Sequence, residues 1–172
     1  MAFNPQVREK PQYDLIEEGL YGARVARIIE LGDQEDRYGV KTKVVLGFAI
    51  PSETMEIDGE QKQRMMWTFP INQSSNPDST LMKYVKAIKA DATHLNQLLD
   101  MPCMIEIEHT SKGDKTYANI SNITKPMAGV EIPTADMDIF MYEFDNGEDE
   151  IFELLGEYRQ DQIRSAVNWG QQ

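Results

Sequence analysis

The hydrophobic period of this chain changes twice, and few folds accommodate the order in which it does so. From residue 41 to 50 the residues alternate strictly. Val44, Leu46, Phe48 and Ile50 share one face, with Lys41, Lys43, Val45, Gly47 and Ala49 on the other, which predicts a strand. An earlier segment, 20–31, mixes β-branched residues with Tyr21 and also reads as a strand, with Gly22 the expected bend or bulge. The polar stretch 32–39 between them is bounded by glycines and predicts a turn. After an acidic loop at 51–61 with the hairpin signal Asp58-Gly59, residues 62–71 alternate again. There Gln63, Met65, Trp67, Phe69 and Ile71 stand opposite Lys62, Arg64, Met66 and Thr68. The period then becomes helical: Asp78 or a neighbour caps a helix carrying Leu81, Tyr84, Val85 and Ile88, and Thr93 starts a second short one through Leu99. Alternation returns at 101–110, with Cys103, Ile105 and Ile107 on one side, and a last strand follows at 115–123 after the turn Ser-Lys-Gly-Asp.

Three strands, a helical insert and a strand hairpin predict a mainly β domain. The order matches a five-stranded oligonucleotide-binding (OB) barrel, whose helix between strands 3 and 4 plugs the open end; a generic α+β sandwich is the alternative. The expected organisation is an irregular arm at 1–19, the barrel at 20–125 and an acidic tail at 126–172. Charge supports that division. Residues 1–128 hold 15 Lys/Arg against 18 Asp/Glu, a net of −3, whereas 129–172 hold 2 against 11, a net of −9. A near-neutral body followed by an acidic tail can bind a polyanion locally while the tail competes with it or contacts partner proteins; a merely solubilising tail is the alternative. The tail also has large apolar residues, and 149–167 read as an amphipathic helix with Ile151, Leu154, Leu155 and Tyr158 on one stripe. That helix either packs on the body or docks into a partner through those residues.

Enzymatic signatures are scarce. The single cysteine, Cys103, excludes an internal disulfide, and with two isolated histidines, His94 and His109, it leaves no metal-ligand spacing. Neither a phosphate-binding glycine loop nor a dinucleotide fingerprint occurs. The reading is therefore of a non-enzyme without cofactor or metal. No apolar run approaches the ~18 residues of a membrane span, and the first residues are too polar for a secretory leader, so a soluble cytoplasmic protein with no membrane partner is expected.

Residues suited to binding single strands are better represented. Arg24 and Arg27 lie on the first strand, Lys41 and Lys43 on the second, Lys62 and Arg64 on the third. Outward-facing basic side chains on adjacent strands would make a positive stripe for a sugar–phosphate backbone. Tyr38, and Tyr117 beside Lys115, are the expected stacking platforms; Trp67 and Phe69 read as core by alternation, unless a bulge reverses the face.

The succession LYGARVARIIELGDQ, VKTKVVLGFAIP, NPDSTLMKYVKAI and LLDMPCMIEIEHTSKGDKTYANISNI resembles a family of small phage-encoded single-stranded-DNA-binding proteins with an OB-fold. The resemblance covers residues 20–123. It departs at Asp100, where a glycine is common before Met-Pro-Cys, and at Trp67-Thr68-Phe69-Pro70, where Tyr-Thr is usual. It implies a non-catalytic, sequence-tolerant binder of single-stranded DNA in phage replication or recombination, working in the host cytoplasm. Many replication proteins that bind single strands recruit partners through an acidic tail. The competing reading is a protein-interaction OB module with no nucleic-acid ligand.

Overall fold

The first strand, β1 (Gly19–Asp36), serves several partners, and its sequence lets it coil to reach them. The structure is a computed structural model that describes residues 15–172, so most of the expected arm at 1–19 lies outside the described residues. One edge of β1 pairs antiparallel with β2 (Gly39–Ile57), from Arg24↔Ala49 to Asp36↔Gly39. The bend expected at Gly22 falls instead at irregularities between Val25 and Arg27 and between Glu30 and Gly32. Gly22 has another use: a Cβ there would stand 3.1 Å from Ile132 Cγ1, so the missing side chain seats that residue. The turn expected at 32–39 shrinks to Arg37-Tyr38, because pairing with β2 continues to Asp36.

At the far end of β2, Asp58 (φ 51°) and Gly59 (φ 81°) both adopt the positive φ of a tight hairpin turn, leading into β3 (Glu60–Trp67). The expected third strand is then interrupted. Thr68 stays tied to β2, its N–H donating to Leu46 O at 3.0 Å and its Oγ1 accepting from Leu46 N–H at 3.1 Å. A two-residue strand β4 (Ile71–Asn72) rejoins at Val44 and Lys43. Between them Phe69-Pro70 loops out, since Pro70 has no N–H to give the ladder.

Helix α1 (Thr80–Lys89) is capped by Ser79, whose hydroxyl accepts from Met82 N–H at 3.2 Å, and it buries Leu81, Val85 and Ile88. A single 3-10 turn at Leu95–Leu98 follows where a second short helix was expected. β5 (Pro102–Lys112) pairs with β1 from Gly19↔Ile107 to Arg24↔Pro102, and β6 (Lys115–Thr124) pairs with β5. The sheet order is β3-β2-β1-β5-β6, a curled antiparallel half-barrel. Its inner face closes on Val25, Ile28, Leu46, Phe48, Ile105 and the buried stripe of α1.

The C-terminal residues form a layer on the sheet. Where β5 leaves β1 at Arg24, β7 (Phe140–Tyr142) takes over the same edge in parallel, from Arg27↔Phe140 to Ile29↔Tyr142. Tyr142, Phe144, Phe152, Leu155, Ile163 and Ala166 then bury against Ile29, Leu31 and Val45 on the outer face. This second core explains why every residue from Val44 to Ile50 is buried: β2 is covered on both sides. The single helix expected over 149–167 is two, α2 (Glu150–Leu154) and α3 (Glu157–Arg164). Leu155 breaks them apart by taking an extended conformation that buries its side chain, and Gly156, a poor helix former, serves as the N-cap of α3.

Candidate nucleic-acid interface

The two expected stacking residues project from two separate hairpins. Tyr38 forms the β1–β2 turn and is 75 % exposed, with the Arg37 guanidinium 4.8 Å from its ring centroid. The turn is held by Asp36. Its carboxylate accepts from the Tyr38 backbone N–H at 2.7 Å and from Lys43 Nζ at 3.1 Å, and these two contacts, in that order, hold the Asp36 carboxyl below its ordinary pKa. Lys43 is therefore nearly buried and already paired, whereas neighbouring Lys41 is exposed and has no ion-pair partner among the described residues. Tyr117 stands exposed on β6 opposite Thr110, with Lys115 opposite Lys112 at the hairpin end.

The basic stripe expected across adjacent strands does not form. Lys43 pairs with Gly32 and Asn72, while Lys62 pairs with Met55 and Arg64 with Ile50. At the ~3.3 Å rise of a strand, the seven residue steps from Lys43 to Ile50 separate the two groups by about 23 Å. Lys62 is half-exposed, with Glu60 at 3.8 Å, and Arg64 is half-buried at the position facing Ile50.

Arg24, Arg27 and Trp67 are committed to the C-terminal segment. Arg24 donates from Nη2 to Ile132 O at 2.6 Å and from Nη1 to Asp100 O at 2.8 Å. Arg27 donates to Asp138 O at 3.3 Å and lies 4.5 Å from the Phe140 ring centroid; burial lowers its pKa. Asp136 is held by a reciprocal pair with Gln63, each accepting from the other's backbone N–H at 3.0 Å. Trp67 stands opposite Gly47, where a Cβ would come within 2.8 Å of the indole, and its outer side is covered by Arg159 at 4.9 Å. It packs in the second core, so it is no open platform. The expected partner-binding stripe is likewise divided. Leu155 is buried and Ile151 half-buried in that core, while Leu154 and Tyr158 are 60 % and 76 % exposed.

Phe69, which alternation assigns to the core, is 67 % exposed. It lines a groove of about 560 Å³ between the 68–72 segment, the loop before α1, Tyr84 and Ile120. The signal for its exposure was in the sequence: Pro70, directly after it, cannot continue a central ladder. Elsewhere the chemistry is quiet. Cys103 is buried, and burial pushes its thiol up to about 12. Among the described residues there is no group of three or more His, Cys, Asp or Glu able to hold a metal ion, and no helix long and apolar enough to cross a membrane.

Comparison with protein-family models finds no match to this chain, and none of the curated proteins matches it.

Proposed function

We propose that this chain is a non-catalytic, sequence-tolerant binder of single-stranded DNA built on an OB-type barrel, and that it acts in phage DNA replication or recombination. In this reading β1, β2, β3, β5 and β6 are the five barrel strands, and α1 is the helix between the third and fourth. The observation that carries the proposal is the pair of exposed tyrosines, Tyr38 and Tyr117, on two hairpins, each accompanied by an exposed lysine, Lys41 or Lys115. Rings of this kind stack on unpaired bases, and the cations follow the phosphates between them. The role in phage replication rests on the resemblance over residues 20–123. The C-terminal layer closes the outer face of the sheet, and partner proteins meet it at Leu154 and Tyr158.

A gel-shift series with an oligo-dT strand and a duplex of equal length tests the reading. The parent binds the single strand in preference, and Tyr38→Ala and Tyr117→Ala each weaken it by ~1–3 kcal/mol. Equal binding of duplex would refute the proposal. The net charge of −12 favours a second reading, a protein-interaction module; that reading requires no oligo-dT binding at all.

A further inference from the structure

We infer that the groove beside Phe69 takes one unstacked base of a bound single strand, with the Phe69 ring as its platform. The inference rests on the reading of the chain as a single-strand binder and adds a site to it.

The first argument is the way the ring is held. On one side Thr68 is locked to Leu46 by its two hydrogen bonds, and on the other Ile71 is buried and paired with Val44. The 68–71 stretch therefore spans only the β2 residues from Leu46 back to Val44, and the surplus length, Phe69-Pro70, is forced outward. Proline restricts the residue before it to extended backbone, so Phe69 has few conformations to lose when a ligand arrives. A bulge that expels an aromatic side chain into solvent, against the hydrophobic effect, is a feature that re-aims a side chain for use.

The second argument is the groove's lining. At about 560 Å³ it falls in the size range of small-ligand clefts. It is lined by Asn72 and Asn76. The Asn76 amide oxygen already accepts from the Asp78 N–H at 2.9 Å, which leaves the Asn76 NH2 group as a donor and the Asn72 amide as donor and acceptor of the kind that pair with base edges. Charge restricts the ligand's orientation at one end, where Asp78 repels a phosphate; Lys43 at the other end is already neutralised by Asp36. A base inside a duplex is already stacked on both faces and cannot enter, so the groove also discriminates against double strands.

Phe69→Ala and Phe69→Trp, titrated with an oligo-dT strand beside Tyr38→Ala and Tyr117→Ala, test the inference. Phe69→Ala should keep the parent's melting temperature, because the ring is exposed. It should bind about 5- to 150-fold more weakly, which is the loss of one stacked base. Phe69→Trp should restore affinity, and its added emission should be quenched by the oligomer. Parent-like binding by Phe69→Ala, or no restoration by a folded Phe69→Trp, overturns the inference while leaving single-strand binding in place. A parent protein that does not bind oligo-dT removes both.

Discussion

Truncating Phe152 to alanine tests whether the C-terminal residues are a structural layer or a loose acidic tail. Phe152 is fully buried, with the Tyr142 ring centroid at 5.7 Å and that of Trp169 stacked at 6.0 Å. The Arg164 guanidinium covers it at 5.0 Å. Loss of a buried phenylalanine ring costs ~3–5 kcal/mol in transfer and cavity terms, out of a total near 5–15 kcal/mol for a domain. With a urea m-value of roughly 2–3 kcal/mol/M, the unfolding midpoint should fall by about 1–2.5 M. Both tryptophans of the chain, Trp67 and Trp169, belong to this second core, so indole emission reports on it directly while far-UV circular dichroism follows the sheet. The two signals should move together, since a layer that shares β1 and β2 with the inner core unfolds with it. Leu154→Ala, at an exposed site on the same helix, should stay within about 0.5 kcal/mol of the parent. A Phe152→Ala cost under about 1 kcal/mol, or an indole transition far below the dichroism transition, would refute the layer and restore the tail.

Three further outcomes follow from particular contacts. Gly47→Val places a side chain where the Trp67 ring lies within 2.8 Å of the Cβ position, so it should cost ~1–3 kcal/mol and shift the indole emission; an unshifted spectrum would contradict the packing. Cys103, its thiol pushed up to about 12 by burial, remains protonated at pH 8. It should react with a thiol reagent only as fast as the protein opens, and immediate labelling of the native protein would contradict that. Asp100 holds φ 65°, so Asp100→Gly should raise the melting temperature and Asp100→Val should cost roughly 1–2 kcal/mol; the reverse order in a thermal scan would contradict the backbone geometry.

Where local chemistry decides the structure, the sequence could be read. The Asp58-Gly59 turn, the alternation of Val44, Leu46, Phe48 and Ile50, and the helical spacing of Leu81, Val85 and Ile88 each depend on near neighbours. The other face of β2 reads as outward from Lys41 and Lys43, but it also holds Val45, Gly47 and Ala49. Their small or apolar character is what a strand covered on both faces requires. Arg24 and Arg27 could not be read. Their partners are backbone carbonyls of Ile132 and Asp138, more than a hundred residues on, and a carbonyl leaves no trace in the identity of its residue. The C-terminal stretch was obscured by its own charge: eleven carboxylates suggest a tail, yet it is Tyr142, Phe144, Phe152 and Ile163 that decide where the segment goes. Phe69 reads as core only while strand alternation is carried through Pro70; the bulge that reverses its face falls at that proline.

The claim that exposed hairpin cations grip a phosphate backbone is tested most directly by the salt dependence of oligo-dT binding, followed by fluorescence anisotropy of a labelled strand. Arg37 and Lys41 on one hairpin, and Lys112 and Lys115 on the other, are all exposed. Three or four phosphate contacts from this set give a slope of log K against log salt of about −2 to −3, the single-strand value being roughly −0.7 per contact. Between 50 and 200 mM salt the affinity should then fall by about 15- to 60-fold. An affinity that stays flat over that range would contradict the account.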